Sequence, residues 1–320
     1  MPLKVICSSH AHLMDYPGLV DEATENEARS AVAVHQALVR DYDPELVIKI
    51  GDDHASGFAL SLMPPFTVGV RAYGVGDFNC SSGPLSTDEA MARELIGYLH
   101  EAGVDVSHSY KMPVDHGITQ LLEHYFGGVD AIPVIPIVVN CGGDLRPPLS
   151  RARALGSAIG RFVRDRLDHL RVLVVGSGGM SHDPPLPVFS DASEEVQQRL
   201  IEGTPHWTEE AMAARVERVL DCAREHGRGE GPLQPLDAAW DKHILSLFAA
   251  RKLEQICAIP DAEIIEKGGR GAAEIRNWIT PFAAIDAYSG GNYVAHQDYY
   301  RAIPGWIVGF AMMHAEVTSV

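Results

Sequence analysis

The sequence predicts an α/β fold, a largely parallel central sheet covered by helices on both faces with a helical C-terminal part. Three observations predict it. Over the first 180 residues, short apolar runs alternate with amphipathic segments of helical period, the pattern of a parallel sheet buried on both sides. Strand-like runs are followed within a few residues by a histidine, at His10, His54, His116 and His182. Beyond Pro187 the texture turns helical. No repeat or low-complexity linker interrupts the chain, and GRGEGPLQP at 227–235 reads as a surface loop, so one domain over 1–320 is expected.

Taken in order, Lys4 to Ser8 is a first strand that delivers His10 and His12 to the loop beyond it. Glu22 to Arg40 carries apolar residues at helical spacing and packs on the sheet, with His35 a structural member of that helix. Leu46 to Ile50 is a second buried strand ending in Gly51-Asp52-Asp53-His54. Residues 55–87, rich in Gly, Pro and Ser, read as irregular and long enough to line a site. Thr87 is placed to cap a helix bearing Met91, Leu95, Ile96 and Leu99 that ends near Gly103. Val104 to Ser109 reads as a strand leading to Val114-Asp115-His116-Gly117, and Ile118 to Phe126 as a short helix. Ile132 to Val139 is a strand whose Pro133 and Pro136 point to an edge or a bulge. Ser150 to Leu167 is a helix with small residues suited to close packing. Val172 to Val175 then breaks into Gly176, Gly178 and Gly179 before His182, and ligands collect at such carboxyl ends of parallel strands. Helices follow at Glu194 to Ile201, Glu209 to Arg224, Ala238 to Ala249 and Ala272 to Tyr288.

Charge and cysteine content exclude whole classes. With 43 acidic against 26 basic residues the net charge is −17 and no basic cluster stands out, which argues against a nucleic-acid partner. No apolar run approaches the roughly 20 residues that span a bilayer. The N-terminus runs straight into a strand without the features of a signal peptide, so a cytoplasmic protein is the expectation. Five scattered cysteines, none in a CxxC pair, argue for reduced thiols.

The four histidines share one topological position, which favours a metal or acid/base site over isolated polar residues. Two imidazoles and a carboxylate on one face of a metal are the arrangement of non-haem Fe(II) oxygenases. The carboxylate candidates are Glu274, at a helix start behind the glycine loop 268–271, and Asp52 or Asp53, which as neighbours of His54 equally suit orientation of its ring.

At these residues the chain resembles a known family. SSH at 8–10, GDDH at 51–54, MPPF at 63–66, VDHG at 114–117, GSGGMSHDPP at 176–185, AAEIRNW at 272–278 and YYRAIPGWIVGF at 299–310 are similar to the class III extradiol ring-cleavage dioxygenases. The resemblance runs nearly end to end. It implies Fe(II) held by His10, His54 and Glu274, with His182 the catalytic base and His116 the acid. It also implies a catechol-type substrate bearing a propionate, cleaved by O2 in aromatic catabolism by a homo-oligomer, with neither nucleic acid nor membrane as partner. Arg301 or Arg276 is the candidate cation for the propionate, and Lys111 another position bearing on substrate fit. One departure stands out: the family's first motif runs Ser-His-Ser-Pro, whereas Ser9-His10-Ala11-His12 puts a second imidazole where it competes with His10. A hydrolase holding zinc in the same ligands, or a non-catalytic binding module, are the alternatives, and retention of both His116 and His182 argues against the module.

Overall fold

The computed structural model describes residues 3–143, 145–203 and 209–318. The chain opens with β1 (Leu3–Ser8), α1 (Glu22–Tyr42), β2 (Leu46–Gly51) and the short strands β3 (Phe66–Gly69), β4 (Ala72–Val75) and β5 (Ser82–Pro84). There follow α2 (Glu89–Glu101), β6 (Ser107–Ser109), β7 (Met112–Val114), α3 (His116–Phe126), β8 (Val134–Val139), α4 (Leu149–Arg166) and β9 (Val172–Ser177). The C-terminal part holds α5 (Glu194–Glu202), α6 (Glu209–Gly227), α7 (Ala238–Ala249), α8 (Leu253–Cys257), α9 (Asp261–Gly268) and α10 (Ile275–Ser289). It closes with β10 (Tyr293–Ile303) and β11 (Val308–Val317).

Eight strands make one sheet in the order β10-β11-β1-β9-β2-β8-β3-β6. Its centre, β1, β9, β2 and β8, is parallel, with β11 and β3 joining antiparallel on either side. Side chains alternate along these buried strands and so feed two cores. Ile48, Ile50, Val172 and Val174 pack with Leu155, Ile159 and Phe282 on one face; Val47, Leu173 and Val175 pack with Ile118 and Leu121 on the other. The expected α/β architecture, covered on both faces, is what forms.

Helix α10 lies hard against the sheet and α4. A Cβ on Gly156 or Gly160 would stand 2.0 Å from the carbonyl oxygen of Thr280 or Ala284, and one on Gly176 would stand 2.4 Å from that of Asn277. Only glycine permits this approach, which brings the start of α10 to the carboxyl end of β9.

Four local expectations are corrected. Asp88, not Thr87, caps α2, its carboxylate accepting from Met91 N–H, while Thr87 bridges to Val134. The run to Ser109 forms only the three residues of β6, and His116 instead follows β7, in a separate sheet ordered β5-β4-β7. Strand β8 is interior: Val134 N–H donates to Ser86 on its β3 side, and Pro136, two residues on, faces the same side one residue past the last β3 pair, Val68 with Ile137. No ladder bond is lost there. The C-terminal part is not purely helical, because β10 and β11 extend the sheet beside β1. Among the described residues no helix is long and apolar enough to cross a membrane. All five cysteines are free thiols.

Candidate active site

Three parallel strands end at one place. Past β1 the chain gives His10, past β2 Asp52 and His54, and past β9 the glycine turn and His182. Glu274 ends a 3₁₀ turn, Arg270–Glu274, so it precedes α10 rather than sitting in its first turn. The Glu274 carboxylate faces both ligand-type imidazoles, Oε2 3.6 Å from His10 Nε2 and Oε1 3.6 Å from His54 Nε2. It also accepts from Gly179 N–H at 2.7 Å and lies 3.0 Å from His182 Nε2. Donor atoms of His10, Asp52, His54 and Glu274 all lie within 4.8 Å of one another.

Asp52 is the weaker carboxylate of the set. Its Oδ2 is 3.4 Å from His54 Nε2, but its Oδ1 accepts from Asn277 Nδ2 at 3.1 Å, and it does not line the pocket that His10, His54, His182 and Glu274 share. Asp53 turns away, accepting from the N–H groups of Ser56, Gly57 and Phe58. His12 lines the pocket without joining any metal-type grouping of the described residues; its ring packs 4.2 Å from Phe78 and 4.3 Å from His116.

His10, His54, His182 and His116 are each oriented by a bond at Nδ1. His10 Nδ1 is 3.0 Å from Ser177 Oγ, and His54 Nδ1 is 3.3 Å from an Asp115 oxygen, which also accepts from His54 N–H at 2.7 Å. His182 Nδ1 donates to Met180 O at 2.9 Å. His116 Nδ1 donates to Asp77 Oδ2 at 2.6 Å, and Asp77 Oδ1 accepts from His116 N–H. His116 therefore comes to the site from a different sheet. It stacks on His54 with ring centroids 4.3 Å apart, behind the pocket wall, and its Nε2 is buried without a hydrogen-bond partner among the described residues. Glycine is required at 271, where a Cβ would meet His182 Nε2 at 2.1 Å.

The electrostatics are those of a site with excess negative charge. Burial raises the Glu274 carboxyl, but the facing His182 and His10 outweigh it and hold Glu274 well below the carboxylate range. Asp52 is pushed well above that range by burial and by the Glu274 charge. His10 is held well below its usual value by burial, whereas at His54 burial is outweighed by Asp52 and Asp115, which push it well up. A divalent ion between Asp52 and Glu274 would relieve their repulsion. Buried Lys49, brought down to about 7 by burial against the pull of Asp52, sits beneath, donating to the Ile50 and Gly117 carbonyls. The donor set and its charge fit a metal.

The expected cations for a substrate carboxylate are corrected. Arg276 is fully buried and donates to Pro147 O and to both oxygens of Asp261; Arg301 pairs with Glu27 at the surface. Lys111 is exposed in the turn before β7 and does not line the pocket. Sequence reading missed Asp77, which lay in an unstructured-looking stretch, and Asp115, whose only signal was its place before His116. It missed Arg215 as well, a buried guanidinium on α6 that donates to His54 O at 2.9 Å, one turn before pocket-lining Val219.

Residues 4–311 match the family described as the catalytic LigB subunit of aromatic ring-opening dioxygenase. Curated proteins named 2,3-dihydroxyphenylpropionate/2,3-dihydroxicinnamic acid 1,2-dioxygenase are similar throughout. That of Mycobacterium sp. (strain MCS) is 44% identical, covering 98% of either chain. That of Cupriavidus pinatubonensis is 42% identical over 100% of both, and that of Photorhabdus laumondii 40% identical over 100% of this chain and 99% of its own. A crystal structure of an uncharacterized Escherichia coli K12 protein shares the fold alone, with a TM-score of 0.51 and 13% identity over 97% of this chain and 98% of that one. End-to-end identity at this level, on a chain whose strand ends converge in this way, settles the family: the protein belongs to the LigB catalytic subunits of aromatic ring-opening dioxygenases.

Proposed function

We propose that the enzyme opens a catechol beside its two hydroxyls with O2, at a ferrous ion held by His10, His54 and Glu274. The observation that carries this reading is the pair of imidazole Nε2 atoms facing one Glu274 carboxylate at 3.6 Å on a shared pocket wall. Two histidines and one carboxylate suit Fe(II) with positions left open. When bound, the ion brings catechol and O2 together and lets electrons pass between them.

The protein's own groups handle position and protons. Met180 O fixes the His182 proton on Nδ1, so Nε2 is the atom that takes a proton from a substrate hydroxyl once Glu274 is engaged by the metal. Asp77 likewise fixes Nδ1 of His116 as a donor, so Nε2, which has no hydrogen-bond partner among the described residues, is the atom from which His116 as the acid gives a proton as the ring opens. Such groups contribute about 10²- to 10⁴-fold each. Trp306, Ile307 and Val308 give the pocket an apolar wall for the ring. The names of the relatives favour 3-(2,3-dihydroxyphenyl)propionate or a close analogue as substrate. In a chain of net charge −17 its carboxylate needs a local cation, and our assignment is Arg215, which stands behind the pocket lining over Phe78, one turn before pocket-lining Val219.

The test is oxygen uptake after anaerobic Fe(II) loading. One O2 consumed per catechol, with a yellow ring-opened acid as product, supports the reading. Conversion without oxygen uptake, as by a zinc hydrolase, contradicts it.

A further inference from the structure

A second grouping of imidazole and carboxylate lies away from the pocket, where α1 meets the C-terminal hairpin. Asp298 Oδ2 is 2.8 Å from His35 Nε2 and 2.8 Å from His314 Nδ1, and donor atoms of all three lie within 4.8 Å of one another. Strand register explains the gathering. His296 and His314 are cross-strand partners with rings stacked 4.6 Å apart, and a bulge between Gln297 and Tyr299 leaves Asp298 unpaired in the ladder, two residues along from His296 and on the same side. Beyond them His35, fully buried on α1, has its Nδ1 3.2 Å from Tyr125 Oη, which fixes the ring plane. None of these residues lines the ring-opening pocket.

We propose that His35 Nε2, Asp298 and His314 Nδ1 bind a divalent transition cation of the zinc class, at a site separate from the ring-opening centre. Two neutral imidazoles and one carboxylate are a donor set for such an ion. Donors at about 2.1 Å from a tetrahedral ion stand about 3.4 Å apart, so the contacts now at 2.8 Å open by about half an ångström. The proton balance closes without release: His35 moves its proton from Nε2 to Nδ1, where the Tyr125 oxygen accepts it, and His314 moves its proton to Nε2. Asp298 is already the anion required, because its hydrogen bonds from His314 and His35 outweigh burial and bring it down to about 2. The Asp298 and His314 side chains, 15% and 13% exposed, give the ion a path in. Its binding ties α1 to a hairpin more than 260 residues away in sequence, and stabilises the fold by mass action.

The experiment titrates the enzyme, loaded with its pocket ion and desalted, with Zn²⁺ and counts zinc retained per chain, in wild type, Asp298→Asn and His314→Gln. His314→Gln keeps a donor facing Asp298, and ring-opening turnover within twofold of wild type confirms that each variant is folded. Wild type is expected to retain one ion more than either variant, with a zinc-dependent rise in Tm that both variants lose. The readout is a difference, so it does not depend on what occupies the pocket. Equal zinc in all three proteins, or an undiminished rise in Tm in the variants, overturns the site.

Discussion

His10 and His12 differ by two positions and by everything that decides a ligand. His10 Nε2 faces Glu274, whereas both nitrogens of His12 are buried without partners among the described residues, against Phe78 and His116. His10→Ala is therefore expected to lose bound metal and His12→Ala to keep it, as read by metal content after desalting. Glu274→Gln should fold and bind less iron, because a neutral amide is a poor partner for Fe(II); unchanged stoichiometry removes Glu274 from the ligand set. His182→Ala and His116→Ala should retain iron and each lose about 10²- to 10⁴-fold in turnover, at different steps. The losses need not multiply, since residues acting as a unit are non-additive. Asp77→Asn should lower kcat in the same step as His116→Ala while leaving iron content intact, because the amide no longer fixes Nδ1–H. Arg215→Gln should raise KM for the propionate-bearing catechol about 10- to 100-fold, the range of a lost charged hydrogen bond, and leave a catechol without a carboxylate little changed. The imidazoles were legible in the sequence because each follows a strand-like run; Asp77 was not, because its partner lies 39 residues away through a fold contact.

At the scale of elements, the tight junction between α4 and α10 positions Glu274. Gly160→Ala forces a methyl against the Ala284 carbonyl, and overpacking of this kind costs about 1–3 kcal/mol. A Tm lower by several degrees, with reduced metal affinity from the displaced start of α10, is the expected result; an unchanged Tm would mean the helices part freely. The buried strands and amphipathic helices were readable because their periodicity is set by burial on known faces. The C-terminal hairpin was not. β10 is an edge strand carrying His296, Gln297 and Asp298 on consecutive exposed positions, and β11 is rich in Ala and Met, so neither shows the apolar alternation of a half-buried strand, and pairing beside β1 is what makes them strands. Pro136 misled for the related reason that its missing donor matters only where a neighbour strand is present to accept.

For the whole molecule, the folded state shelters imidazoles that resist protonation. His12 is held well below its ordinary value, first by burial and then by His116 and His54. The unfolded chain protonates it near pH 6.5, so below that pH the unfolded state binds more protons, and stability falls as pH drops. Between pH 7 and pH 5 the urea midpoint of the metal-free wild type should lose more than that of His12→Phe; His10 acts in the same direction and the raised His54 and His182 in the opposite one, so the difference between the two proteins is the readout. An identical slope in the variant would show that His12 is not buried neutral. That strand ends, the glycine turn and the start of α10 all meet at one pocket makes ring opening the activity of the whole fold rather than of any one element. The most direct test uses ¹⁸O2 with the iron-loaded enzyme and 3-(2,3-dihydroxyphenyl)propionate, trapping the product before its carbonyl exchanges with water. Both atoms of one O2 molecule should appear in the ring-opened acid; label in one position or none would contradict dioxygenation at this site.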